Sequence, residues 1–87
     1  MEKQFDLDER LINFAVAIIN FVETLPNTKS ANHLGGQLLR SGTSPSLNYG
    51  EARSAESQSD FIHKMKVCLK ELRESYNCLR ILHRAEI

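Results

Sequence analysis

From Ser57 to Ile87 the chain contains neither glycine nor proline, and within that run Phe61, Met65, Cys68, Leu72, Leu79 and Leu82 recur at heptad-like intervals. Steps of three and four residues bring side chains to one side only in a helix. Ser57-x-x-Asp60 supplies a capped start. Ser75 interrupts the apolar stripe, and Ile62, Leu69 and Tyr76 run alongside it. At the rise of an α-helix this rod extends about 45 Å. A rod of that length with one oily side needs other helices to cover it, which points to an all-α fold.

A second helix is expected at the start of the chain. Asp6-x-x-Glu9 is an acidic variant of the capping box, and Pro26 and Asn27 stop the helix near Leu25. Leu7, Leu11, Phe14, Ile18, Phe21 and Leu25 form one stripe, widened by Ala15 and Val22, while Ile12, Val16 and Ile19 form a second row beside it. The apolar arc covers roughly 200° at about 100° per residue. Such a helix requires neighbours on two sides.

The middle of the chain is less direct, because RSGTSPSLNYGEA, from Arg40 to Ala52, has the composition of a loop. On a helical wheel, however, Gln37, Arg40, Ser44, Asn48 and Glu51 fall within roughly 80° of one another. Ala31, Leu34, Leu38, Pro45, Tyr49 and Ala52 form an apolar line immediately beside them. A loop gives no reason for either line, so a helix is expected from Ala31 to about Arg53. Pro45 removes its hydrogen bond to the Ser41 carbonyl and crowds that carbonyl, so a bend is expected near Ser41 to Ser44, where Gly42 and small side chains leave room. Gly35 and Gly36 weaken the first turn.

The expected architecture is thus an antiparallel up-and-down helical bundle over residues 1–87, with helices at about 6–25, 31–53 and 57–86. An 87-residue chain is near the size at which one core just suffices, so burial against a partner chain helps it. The composition, 41% hydrophobic and 25% charged, is that of a globular protein, and no apolar run approaches a membrane span. The N-terminal MEKQFDLDER is too acidic and too poor in apolar residues for a targeting peptide, so a cytoplasmic location is expected. Net charge is zero but uneven: residues 1–28 hold five acids and two bases, and residues 29–87 six acids and nine bases. That asymmetry points to an anion-facing surface in the later part.

Chemistry-bearing constellations are few. On the third helix Lys66, Lys70, Arg73, Arg80 and Arg84 fall within roughly 80°, away from the apolar stripe. Five bases in line can track a phosphate backbone. They also read as a solvated face softened by Glu71 and Glu74, with Lys70 and Glu74 as an ordinary surface pair. Gln37, Arg40, Ser44, Asn48 and Glu51 read either as a recognition surface or as a buried network in which Arg40 and Glu51 satisfy each other. No stacking aromatic pair or glycine-rich phosphate loop accompanies the bases.

Cys68 and Cys78, about 15 Å apart on one helix, cannot pair within the chain and read as buried apolar-like thiols. His33, His63 and His83 are isolated, so no metal site is expected. Ser41, Ser44 and Ser46 read as small helix-surface residues. With no base or oxyanion site positioned beside a nucleophile, neither catalysis, a cofactor nor a small-molecule substrate is expected.

QLLRSGTS at Gln37 to Ser44, then Asn48-Tyr49-x-Glu51-Ala52, Ser57, Asp60-Phe61-Ile62 and Lys64, resembles the bacterial four-helix-bundle proteins first noted as open reading frames in intervening sequences of large-subunit ribosomal RNA. Members often carry the label of a small-subunit ribosomal protein. The resemblance implies a homo-oligomer, commonly a pentameric ring. It also implies kinship with the accessory proteins of diversity-generating retroelements, similar bundles associated with RNA and reverse transcriptase. No enzymatic activity comes with it. Relatives usually continue beyond the position of Ile87 with the fourth helix, so this chain is expected to supply three helices of a four-helix bundle. Pro45 stands where many relatives keep another apolar residue.

Together these readings lead to a non-enzymatic, self-associating helical scaffold that binds structured RNA or an RNA-containing complex. The alternative is a purely structural protein–protein interaction module without nucleic-acid binding.

Overall fold

The computed structural model describes residues 6–87; the first half of the N-terminal MEKQFDLDER, which carries no targeting-peptide pattern, lies outside them. Three helices, α1 (Leu7–Val22), α2 (Lys29–Ala52) and α3 (Gln58–Arg84), make an all-helical structure with no strand among the described residues. Each begins on a side-chain cap. Asp6 Oδ1 accepts from the Glu9 amide at 3.2 Å, Thr28 Oγ1 from Ala31 at 3.2 Å, and Ser57 Oγ from Asp60 at 3.1 Å. These bonds satisfy amides that the first helical turn leaves without carbonyl partners.

The ends differ from expectation by up to three residues. α1 stops at Val22 rather than Leu25, because the Thr24 and Leu25 amides turn back to the Phe21 and Val22 carbonyls at 3.0 and 3.1 Å, tightening the chain ahead of Pro26. α2 starts at Lys29 rather than Ala31, since the Thr28 cap holds two further residues. It ends at Ala52, with Arg53 as its cap, and runs unbroken through Gly35, Gly36, Gly42 and Pro45.

α3 ends at Arg84 in a Schellman-type turn. Glu86 takes a left-handed φ of 59°, the Ile87 amide reaches the Leu82 carbonyl at 3.0 Å, and the Glu86 amide reaches the His83 carbonyl at 3.1 Å. Glycine usually fills that left-handed position. Here the Ile87 side chain closes the turn by packing on the core.

α2 is the central helix. Contacts that run up α2 while running down its neighbours make it antiparallel to both: Gly35 lies by Val22 and Gly42 by Ile18 on α1, while Arg40 lies by Glu74 and Glu51 by Lys64 on α3. No Cα of α1 comes within 8 Å of a Cα of α3. The core that joins all three consists of Ile18, Leu38, Cys78 and Leu82, with Phe14, Val22, Leu25, Leu34 and Leu79 packed against it.

Gly42 has a sharper role than making room for Pro45. A Cβ built on it meets Ile18 Cγ2 at 2.7 Å and Cγ1 at 2.8 Å, so α1 presses directly onto the α2 backbone there. One heptad earlier Gly35 meets Val22 Cγ1 of the same helix at 3.5 Å and, just past that helix's end, Leu25 Cδ1 at 3.2 Å. Gly36, by contrast, faces open space. Where α1 and α3 stand apart they leave an apolar groove lined by Leu7, Leu11, Met65, Cys68, Leu69 and Leu72.

Candidate functional site

The polar line on α2 divides into three parts. Arg40 crosses to α3: Nη1 donates to Glu71 Oε1 at 3.1 Å, and Nη2 pairs with Glu74 and with Gln37 Oε1 of its own helix. Asn48 stays on α2, donating to the Ser44 carbonyl at 3.0 Å and to Ser44 Oγ at 2.8 Å. Glu51 takes Lys64 Nζ of α3 at 3.2 Å. Arg40 and Glu51 therefore do not satisfy each other. They stand three turns apart on α2, roughly 16 Å, and each has a nearer partner across the seam.

Beside Arg40 lies a buried hydroxyl pair, Ser41 Oγ to Ser75 Oγ at 2.9 Å. Ser75 Oγ also reaches the Glu71 carbonyl at 3.1 Å and Ser41 Oγ the Leu38 carbonyl at 3.4 Å, so whichever hydroxyl donates across the pair, the other can donate to its own helix. Ser41 is thus not a helix-surface residue, and Ser75 is more than a gap in an apolar stripe. Both occupy core positions, and two core-position serines on adjacent antiparallel helices were the available signal for the pair. Glu71 is likewise not part of the solvated face that its spacing implies. Its side chain is only 10% exposed, against 54% for Arg40.

This seam reshapes the basic face behind it. Lys66, Lys70, Arg73, Arg80 and Arg84 are all exposed on α3. Glu71 and Glu74, expected to soften that face, turn instead to Arg40, and the anticipated Lys70–Glu74 pair does not form. Among the described residues none of the five bases is in an ion pair. Arg80 is held by its own helix: Nη1 donates to Asn77 Oδ1 at 3.3 Å, and its guanidinium lies 5.5 Å from the Tyr76 ring centroid.

Both cysteines are free and buried. Burial pushes both thiols above the ordinary value of 9.0, and the Glu74 carboxylate adds to the rise at Cys78 while Arg40 opposes it. Cys68 Sγ donates to the Pro45 carbonyl at 3.4 Å, a further tie between α2 and α3. His33 lies on α2 and His63 and His83 on α3, all three exposed. No described helix is long and apolar enough to cross a membrane.

The geometry can be set beside known proteins. Residues 3–87 match the family model described as 23S rRNA-intervening sequence protein. A crystal structure of a protein with unknown function from the S23 ribosomal protein family, from Bacteroides thetaiotaomicron, is 38% identical with a TM-score of 0.87; the match covers 93% of this chain and 75% of that one. No curated protein matches the chain.

Proposed function

This chain belongs to the 23S rRNA-intervening sequence protein family, and on that premise we propose that it is a non-enzymatic scaffold that self-associates and binds structured RNA through the outer face of α3. The supporting observation is the disposition of charge on that helix. Arg40 draws Glu71 and Glu74 towards α2, and Lys66, Lys70, Arg73, Arg80 and Arg84 remain on the opposite side with no carboxylate partner among the described residues. A cationic row of this kind binds phosphates by releasing their counterions, and repetition of the row in an oligomer multiplies the effect.

Self-association is supported by a ridge and a groove on the same molecule. Ile12, Val16 and Ile19 form an exposed apolar row along α1, while the groove between α1 and α3 is lined by Leu11, Met65, Leu69 and Leu72. A helix of a second copy laid in that groove covers the oily walls and makes a four-helix arrangement. A ring of five subunits and an association with reverse transcriptase follow from the family resemblance.

Filter binding of a structured RNA at low salt tests the RNA reading. The triple variant Lys66→Gln, Lys70→Gln, Arg73→Gln is expected to keep its fold and lose at least about tenfold in affinity. No binding by the unaltered protein at low salt removes the RNA reading and leaves a protein-only interaction module. Light scattering checks the other half: a folded monomer at micromolar concentration contradicts self-association.

A further inference from the structure

The C-terminal half of α3 differs from the rest of the basic row. Tyr76, Arg80 and Arg84 succeed one another at single-turn intervals, and Asn77, Arg80, Ile81 and Arg84 line a shallow depression beside them. Tyr76 is 64% exposed, although burial is where an aromatic ring gains most. Its ring carries the Arg80 guanidinium at 5.5 Å, and Asn77 holds that guanidinium from the same helix. The four residues of the depression include no acid, and Arg84 adds a second guanidinium.

Each part has a counterpart in one kind of ligand. Two adjacent guanidinium groups match the oxygens of a single phosphate. A guanidinium already placed by an aromatic ring presents a flat platform on which a base can stack. The Asn77 amide has both donors and an acceptor for a base edge. A base within a duplex has both faces covered by its neighbours, so only an unpaired nucleotide can use the platform.

We propose that Tyr76, Asn77, Arg80 and Arg84 form a subsite for one unpaired nucleotide of RNA, with its phosphate between Arg80 and Arg84 and its base against the Tyr76–Arg80 stack. The proposal rests on the reading of α3 as an RNA-binding face and names the part of the RNA that face selects. Lys66, Lys70 and Arg73 then supply attraction indifferent to pairing, and the C-terminal half of the helix supplies the preference.

The test compares two RNAs with equal numbers of phosphates, one a blunt duplex and the other a stem with an unpaired loop. Filter binding is measured for the unaltered protein, for Tyr76→Leu, and for the Lys66→Gln, Lys70→Gln, Arg73→Gln variant. The unaltered protein is expected to favour the looped RNA by at least about fivefold. Tyr76→Leu abolishes that preference and leaves duplex affinity unchanged, whereas the triple variant weakens both RNAs alike.

A second readout uses the ring itself. The chain has two tyrosines and no tryptophan, so in Tyr49→Phe the fluorescence of Tyr76 is seen alone and is quenched by the looped RNA but not by the duplex. Equal affinity for the two RNAs, a preference retained by Tyr76→Leu, or Tyr76 fluorescence quenched alike by loop and duplex, overturns the subsite while leaving the basic-face reading in place. Failure of both RNAs to bind overturns the two together.

Discussion

The two seams of α2 are closed by different chemistry. Towards α1 the contact is steric: Gly35 and Gly42 let Val22, Leu25 and Ile18 come against the helix backbone, and an ion pair, Arg53 to Asp8 at 3.5 Å, lies at the end of the seam between partly exposed groups. Towards α3 the apolar core of Leu38, Cys78 and Leu82 is joined by polar contacts: the Ser41–Ser75 hydroxyl pair, the Arg40 clamp on Glu71 and Glu74, the Cys68 thiol on the Pro45 carbonyl, and Lys64 with Glu51. A steric seam tolerates small changes of register but not of volume. A polar seam is satisfied in one register and one rotation only. The second seam therefore sets which side of α3 faces outward, and with it where the bases stand.

Substitutions that break each seam separate the two. The largest effect is expected at Gly42→Val, whose first added carbon already meets Ile18 at 2.7 Å. Loss of about 3 kcal/mol is expected, read as a lower denaturant midpoint with unchanged slope.

Arg40→Leu is next, at about 1.5 kcal/mol. It strands the nearly buried Glu71 carboxylate, and the half-exposed position of Arg40 limits the loss. Adding Glu71→Leu is expected to recover part of it, because removing both partners is less costly than orphaning one. No second substitution on α3 rescues Gly42→Val.

Thiol titration adds a third contrast. Because burial raises both cysteine pKa values above 9.0, the unfolded chain releases its thiol protons first as pH rises. The unfolded state then binds fewer protons than the folded one, so stability is complete below the unfolded value and falls as pH climbs towards the folded values. Thermal melts above about pH 9 are expected to show this loss, and Cys68→Ala with Cys78→Ala to flatten it. The smallest effect is at Gly36→Ala, where no described atom beyond the adjoining residues and local helix backbone lies within 4 Å of the added carbon. Stabilisation of about 0.7 kcal/mol is expected from helix propensity alone.

What was legible in the sequence was whatever belongs to one helix. The caps at Asp6 and Ser57, the apolar lines of all three helices and the single-sided row of bases depend on spacing along one segment, and spacing is printed in the chain. The Thr28 cap is not legible, because the glycine pair that follows obscures where α2 begins. The pairings of Arg40, Glu71, Ser41 and Ser75 join residues more than thirty positions apart. They depend on how two helices are aligned, which a wheel drawn for either does not contain. For the same reason spacing alone groups Glu71 and Glu74 with the bases of their own helix, although they face the arginine of another.

The salt dependence of RNA affinity tests most directly whether the polar seam leaves α3 with an uncompensated cationic face. A plot of log affinity against log salt for the unaltered protein is expected to fall with a slope of about −3 to −4 per chain, as four or five bases neutralise phosphates. A slope near zero, with tight binding persisting as salt rises, contradicts the account.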